Sequence, residues 1–139
     1  MNSAVLVSAA LLIGLFAQQA SAPSSPTLDY EFFKTRVQPI FLAKRPGHAR
    51  CIACHGQGTT LRLQPLSPGS SGWNDEESRK NFEAVKRVVN VSNPIASPLL
   101  KHPLAQEAGG DDFHSGGRQF TSQSDPEWKA MADWVKGAK

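Results

Sequence analysis

Apolar residues recur every three or four positions in three stretches of the chain, as they do on the buried face of a helix. The first stretch runs from about residue 28 to 44, and its apolar face consists of Phe33, Val37, Ile40 and Phe41. Pro39 interrupts this stretch. Because proline has no N–H to donate, we expect a kink or the start of a second short helix there. A turn at residues 45–47, Arg-Pro-Gly, should end the segment.

A second helix is predicted from Asn74 to about Asn90. The Asn74 side chain can cap the first turn while Glu77, three residues on, reaches back to it, which is the reciprocal pattern of a capping box. The apolar face of this helix consists of Phe82, Val85, Val88 and Val89. We expect this face to be buried.

The last helix has the clearest pattern in the sequence. Residues 124–127, Ser-Asp-Pro-Glu, have the form of a capping box that begins at Ser124, with proline in the first turn. The apolar face of the helix consists of Trp128, Met131, Ala132 and Val135. The helix is predicted to end at Gly137.

The remaining segments have no sustained periodicity. Residues 56–72 are rich in Gly, Ser, Thr and Pro and predict a loop. Residues 97–100, Ser-Pro-Leu-Leu, predict one helical turn that buries two leucines. Residues 103–123 predict a long Gly-rich loop, and loops of this length in a small domain are usually functional. No strand-rich pattern is visible, so the sequence predicts an all-α domain of three to five helices.

Residues 1–22 have the features of a secretory signal peptide. Residues 4–16 are apolar but too few to span a bilayer comfortably, and Ala20-Ser21-Ala22 resembles a cleavage site. We therefore expect a mature domain of residues 23–139, exported to the periplasm or secreted. If the segment stayed uncleaved, it would act as a loose membrane tether.

The charge of the chain is mildly basic. The formal net charge is +3 and the pI is about 9.1, and the Lys and Arg residues are scattered rather than clustered. Nucleic-acid-binding surfaces usually concentrate such residues on one face. We therefore expect no nucleic-acid partner.

The motif with the most specific chemistry is Cys51-Ile52-Ala53-Cys54-His55. Two cysteines three positions apart can lie on one helical turn and form thioether bonds with the two vinyl groups of a haem. The histidine that follows is then held under the iron as its proximal ligand. The spacing C-x-x-C-H is typical of c-type haem attachment, and these are the chain's two cysteines. We expect one covalent haem c, held by Cys51, Cys54 and His55.

Two cysteines at this spacing have three other possible uses. A thioredoxin-like redox pair needs a βαβ context, which the flanking sequence does not suggest. A structural zinc site needs four ligands, so His48, His102 or His114 would have to complete it. A disulfide across two residues would close a very small loop and contribute little stability. Haem attachment is the stronger interpretation.

The ligand at the sixth position of the iron would decide the function, because an open position admits oxygen, peroxide or small gases. His48 lies too close to the motif to reach the other face of the cofactor. Met131 lies on the apolar face of the last helix, where packing is the commoner role. His102 precedes Pro103 at the edge of a turn, a position typical of a surface or capping residue. His114 lies in the long loop ahead of the last helix, beside two glycines at 116–117, and is our first candidate; His102, Met131 and an open position remain alternatives.

Around the haem we expect leucines of the 56–72 loop to pack on the porphyrin, namely Leu61, Leu63 and Leu66. Arg62 and Trp73 are candidates for hydrogen bonds to a haem propionate.

Taken together, these elements resemble the small single-haem cytochromes c of environmental bacteria, including planctomycete-type and acidobacterial haem domains. The resemblance rests on residues 33–41 (F-x-x-x-V-x-P-I-F), the approach at 47–51, residues 97–100, the His-Ser-Gly-Gly at 114–117 with Phe120, and the closing residues 134–137. It implies a class I cytochrome c fold, a covalent haem and His114 as distal ligand. No methionine in a suitable loop corresponds to the ligand of mitochondrial-type cytochromes.

We therefore expect a periplasmic electron-transfer protein. Its expected partners are redox proteins that are membrane-bound or part of a larger complex. It is expected to be no enzyme and to have no small-molecule substrate. The alternative is a haem-based sensor or peroxidase-like enzyme with an open or displaceable sixth position. Rapid binding of carbon monoxide to the reduced protein would favour that alternative.

Overall fold

The computed structural model describes residues 27–139. The predicted signal peptide, residues 1–22, lies outside the described residues. Within 27–139 the secondary structure is helical, and strand-like pairing is confined to one isolated bridge between Leu104 and Phe120. The all-α prediction is therefore confirmed for this part of the chain. No helix in the same range is long and apolar enough to cross a bilayer.

The first helical segment changes its geometry along its length. It begins with α1 (Tyr30–Phe32), continues as a π-helical stretch (Phe33–Val37) and ends as a 3₁₀ turn (Gln38–Phe41). Pro39 cannot donate to a carbonyl four residues earlier, and the change to a 3₁₀ turn surrounds it. The predicted interruption is thus confirmed, although the segment spans 30–41 rather than 28–44. We call residues 30–41 the N-terminal helical segment.

Four further α-helices and two 3₁₀ turns follow. The helices are α2 (Cys51–His55), α3 (Asp75–Lys86), α4 (Pro98–Lys101) and α5 (Pro126–Val135). The 3₁₀ turns are Pro94–Ala96 and Gln106–Ala108. The helical turn predicted at 97–100 corresponds to α4, which buries Leu99 and Leu100 as expected.

The capping box of α3 is confirmed, but the helix ends earlier than predicted. The Asn74 side chain accepts from the Glu77 amide, and the Glu77 carboxylate accepts from the Asn74 amide. After Lys86 the chain turns away, because the Val88 carbonyl accepts from the Leu99 amide at 3.1 Å and the Asn90 amide donates to Ser97 at 3.0 Å. These bonds connect the end of α3 to α4 instead of extending α3.

The prediction that Ser124 caps the last helix is wrong. The N-cap of α5 is Asp125, whose carboxylate accepts from the amides of Glu127 and Trp128. A proline at the first helical position directly follows the cap, as is common, and this places the cap one residue later than the Ser-x-x-Glu pattern suggested. Glu127 does not close a capping box but pairs with Arg45.

The two ends of the described chain pack together. The Trp134 ring of α5 lies 5.3 Å from the ring of Phe33 and 6.0 Å from that of Phe82, measured between centroids. The Trp134 indole N–H donates to the carbonyl of Asp29 at 2.8 Å. Phe33 and Trp134 are fully buried. This contact joins the N-terminal helical segment, α3 and α5 in the core.

Candidate functional site

A cavity of about 420 Å³ lies among residues of the described chain that are far apart in the sequence. Its volume is in the range of small-molecule and cofactor sites. Its walls come from the end of the N-terminal helical segment, from α2, from the loop after α2, from the connection between α3 and α4, from the 103–123 loop and from α5. Most of the wall is apolar, and its larger apolar side chains are Ile40, Phe41, Leu61, Leu99, Phe120 and Met131.

All three chemical groups of the C-x-x-C-H motif line this cavity. The motif forms α2, so Cys51 and Cys54 are three residues apart on one helical face. Both cysteines are free thiols, and they differ in environment: Cys51 is half-buried and Cys54 is exposed. Burial raises the pKa of the Cys51 thiol, and the nearby Arg45 partly opposes this effect.

The orientation of His55 is set by the loop that follows it. Its Nδ1 lies 2.8 Å from the Leu61 carbonyl oxygen and 2.8 Å from the Thr59 hydroxyl. A carbonyl can only accept, so Nδ1 carries the proton and Nε2 keeps its lone pair. Burial lowers the pKa of His55, which favours the neutral imidazole that binds metals.

His114 is oriented in a similar way by its own turn. The Gly117 amide donates to the His114 carbonyl at 2.9 Å, and the His114 Nδ1 lies 2.7 Å from the Gly117 carbonyl oxygen. Gly117 has a φ of 79°, which favours glycine. A Cβ at Gly116 would lie 3.3 Å from the His114 ring. The two glycines therefore allow the turn to close around the imidazole, and the carbonyl on Nδ1 leaves Nε2 as the nitrogen that could bind a metal.

The His55 and His114 rings have centres 6.2 Å apart and planes 18° from parallel. A metal–imidazole bond is roughly 2 Å long and its nitrogen lies roughly 1 Å from the ring centre, so two imidazoles on opposite sides of one metal have centres roughly 6 Å apart. The structure therefore brings together the two histidines that the sequence analysis selected, at a separation that fits two axial ligands of one iron.

The two alternative ligands also border the cavity. The His102 ring lies 6.4 Å from that of His114, with planes 7° from parallel, and its Nδ1 pairs with Asp111. The His102 side chain is 53% exposed. Met131 is buried in the core on α5, as predicted for a packing residue. Of these side chains, the one whose ring centre lies 6.2 Å from that of His55 is His114.

Expectations about the loop after α2 are partly wrong. Leu61 borders the cavity, but Leu63 is fully buried in the core. The Trp73 indole N–H donates to the Gln64 carbonyl at 2.8 Å, so it is not available to a propionate. This bond closes the segment between Gln64 and Trp73, just before α3.

Sequence reasoning missed a group of polar residues beside the motif. The buried Gln119 side chain donates to the carbonyls of Ala49 and Gly116, at 3.3 and 3.2 Å, and so connects the approach to α2 with the His114 turn. Arg45 donates to Gln119 at 3.4 Å and forms an ion pair with Glu127. No local pattern marks these residues, because Gln119 is distant in the sequence from Ala49 and Arg45, and Arg45 is distant from Glu127.

The residues around the cavity fit the haem that the motif predicts. Two thiols three residues apart, two imidazoles at the expected separation and a mostly apolar wall converge on one space. A haem iron needs only one or two side chains of the protein as ligands, because the porphyrin supplies the others. A metal ion bound by the protein alone needs three or four converging side chains. Among residues 27–139 no three His, Cys, Asp or Glu side chains converge in that way.

The chain was compared with known proteins. No protein-family model, no curated protein and no solved structure matches it.

Proposed function

We propose that this protein is a periplasmic electron carrier that holds one covalent haem c between His55 and His114. The observation that carries the proposal is the 6.2 Å separation of these two ring centres in the wall of the cavity that the C-x-x-C-H helix also borders. In each ring, Nδ1 lies next to a backbone carbonyl oxygen. Nε2 is therefore the nitrogen of each ring that could bind the iron.

The side chains have separate roles in this proposal. A bound haem supplies one-electron chemistry through its Fe(III)/Fe(II) couple. Cys51 and Cys54 would hold it through thioether bonds, and His55 and His114 would be its two iron ligands from the protein. Two imidazoles stabilise ferric iron better than an imidazole and a thioether do, so we expect a lower reduction potential than that of a His/Met centre. The apolar wall keeps water from the iron.

We also propose that the fold is of the cytochrome c type. In class I cytochromes the N-terminal and C-terminal helices cross, with the haem motif following the first. The packing of Trp134 on Phe33, and of the N-terminal helical segment on α5, supports this arrangement. The position of α2 directly after that segment supports it as well.

The proposed partners are redox proteins, either membrane-bound or within a larger complex. Two axial side chains leave the iron no open position, so the proposal includes no enzymatic activity and no small-molecule substrate. The predicted signal peptide is the reason for placing the protein in the periplasm.

One observation favours a second candidate, a haem-based sensor or peroxidase-like enzyme. His102, paired with Asp111, borders the cavity beside His114, and so does Arg87. If His114 were displaced from the iron, these side chains would provide the histidine and arginine that peroxide chemistry requires on that face.

The test is to produce the protein with haem-maturation machinery and to compare it with Cys51→Ser/Cys54→Ser. We expect the wild type to keep its haem through acid-acetone extraction and the double variant to lose it. The reduced wild type should not bind carbon monoxide rapidly. A wild type without covalent haem would overturn the proposal, whereas rapid carbon monoxide binding would favour the sensor or peroxidase-like candidate.

A further inference from the structure

A guanidinium group is packed beside the first cysteine of the motif. The Arg45 side chain is only 13% exposed, and it donates to Gln119, which borders the cavity. Burial raises the pKa of the nearby Cys51 thiol, and the positive charge of Arg45 acts against this effect. Its guanidinium carbon lies 4.7 Å from the centre of the Phe120 ring, and both Cys51 and Phe120 border the cavity. A buried positive charge therefore lies next to the point where the haem would be anchored.

The charge of Arg45 is balanced by one carboxylate. Glu127, in the first turn of α5, forms an ion pair with Arg45, and the Glu127 side chain is 39% exposed. The Gln119 side chain is the other polar partner of the guanidinium, and it is neutral. Removing the carboxylate would thus leave the cation uncompensated, while removing the guanidinium would leave the carboxylate alone.

A charge beside a redox centre shifts its potential in a defined direction. Reduction adds one negative charge, so a nearby cation favours the reduced state and a nearby anion favours the oxidised state. The effect is strongest where water is excluded, because the effective dielectric constant there is lower than in bulk water. Arg45 is the more buried partner, so its influence should exceed that of Glu127.

We propose that Arg45 and Glu127 form a charge pair that sets the reduction potential of the haem, with Arg45 stabilising the reduced state. This inference rests on the proposed function and extends it to the regulation of the same site. In this role Arg45 acts through its charge from beside Cys51 and does not bind the iron.

The test is a redox titration of the haem-loaded protein and three variants. At a fixed potential, Arg45→Gln should lower the ratio of reduced to oxidised protein by roughly threefold or more, and Glu127→Gln should raise it. Lys44→Gln is the matched control, because Lys44 is the neighbouring exposed cation and makes no ion pair within residues 27–139. It should change the ratio by much less than either variant.

Opposite shifts distinguish an electrostatic role from a structural one, because loss of packing has no reason to reverse its sign between the two variants. The optical spectrum of the oxidised protein should stay unchanged in all three variants, since the axial ligands are not altered. If Arg45→Gln does not retain haem, Glu127→Gln alone decides, and an unchanged or lowered ratio overturns the inference. A wild type without covalent haem would instead overturn the proposed function.

Discussion

The imidazole rings of His55 and His114 lie with their centres 6.2 Å apart, although one belongs to α2 and the other to the loop before α5. Each ring is fixed by the turn that follows it, through Leu61 in one case and Gly117 in the other. The relative orientation of the two rings therefore depends on two short local structures and on the contacts that hold those structures together. Variants in these turns test the arrangement directly.

Gly117→Ala should weaken the His114 turn. Gly117 has a φ of 79°, and an L-residue in that region costs roughly 1–2 kcal/mol. We expect the free energy of unfolding of the haem-loaded protein to fall by about that amount in urea titrations, together with a smaller low-spin fraction in the ferric spectrum. Gly58→Ala is the control, because a Cβ there meets open space and the φ is not positive. Equal effects of the two variants would contradict the role of the turn.

Trp134→Ala should be strongly destabilising. The side chain is fully buried against Phe33 and Phe82, and its N–H bonds the Asp29 carbonyl. Replacing a buried tryptophan by alanine typically costs about 3–5 kcal/mol. Phe113→Ala removes an aromatic ring that is 77% exposed and should cost less than about 0.5 kcal/mol. Chemical denaturation of the haem-loaded protein would measure both, and a small loss for Trp134→Ala would contradict the described core.

Asp125→Ala should destabilise the protein more than Ser124→Ala does. The Asp125 carboxylate caps two amides of α5, whereas the Ser124 hydroxyl bonds only Ser122. Loss of an N-cap costs about 1 kcal/mol. Thermal and urea unfolding of the two variants would locate the cap. A larger loss for Ser124→Ala would support the capping box that the sequence pattern suggested.

The contribution of Asp75 to stability should be lost in acid. The hydrogen bond from Lys34, at 2.5 Å, is the main cause that lowers the pKa of Asp75 below its ordinary value of 3.8. A carboxyl with a lowered pKa in the folded state stabilises the fold above the pKa of the unfolded chain, and this contribution is lost as the pH falls through the folded value. The effect should be small, since the pair is exposed.

The difference in unfolding free energy between wild type and Asp75→Asn should therefore be constant from about pH 5 to 7 and shrink below about pH 4. Asp133→Asn is the control, because Asp133 makes no ion pair in the described part of the chain. A difference that grew on acidification would have the wrong sign for this account.

The elements that could be predicted from the sequence are those with local causes. The capping box at Asn74, the buried leucines of α4 and the interruption at Pro39 all depend on side chains within a few residues of the backbone that they affect. The same is true of His114, whose turn is built from its own neighbours. Periodicity, caps and turn residues record such effects directly.

The elements that could not be predicted depend on partners distant in the chain. Glu127 has the position of a capping residue, yet it pairs with Arg45, which the sequence analysis assigned only to a turn. Gln119 connects the approach to α2 with the His114 turn through two carbonyls, and nothing in its surroundings indicates this. A polar side chain in a loop has many possible partners, and the folded chain decides which of them it meets.

The most direct test of the central claim is the optical and EPR spectrum of the ferric haem-loaded protein, measured for wild type and for His114→Ala. The account predicts a low-spin bis-imidazole signal in the wild type and a high-spin signal in the variant. His102→Ala and Met131→Leu are the controls and should keep the low-spin signal. A His114→Ala variant with the parent low-spin spectrum, or a wild type that is already high-spin, would contradict the account.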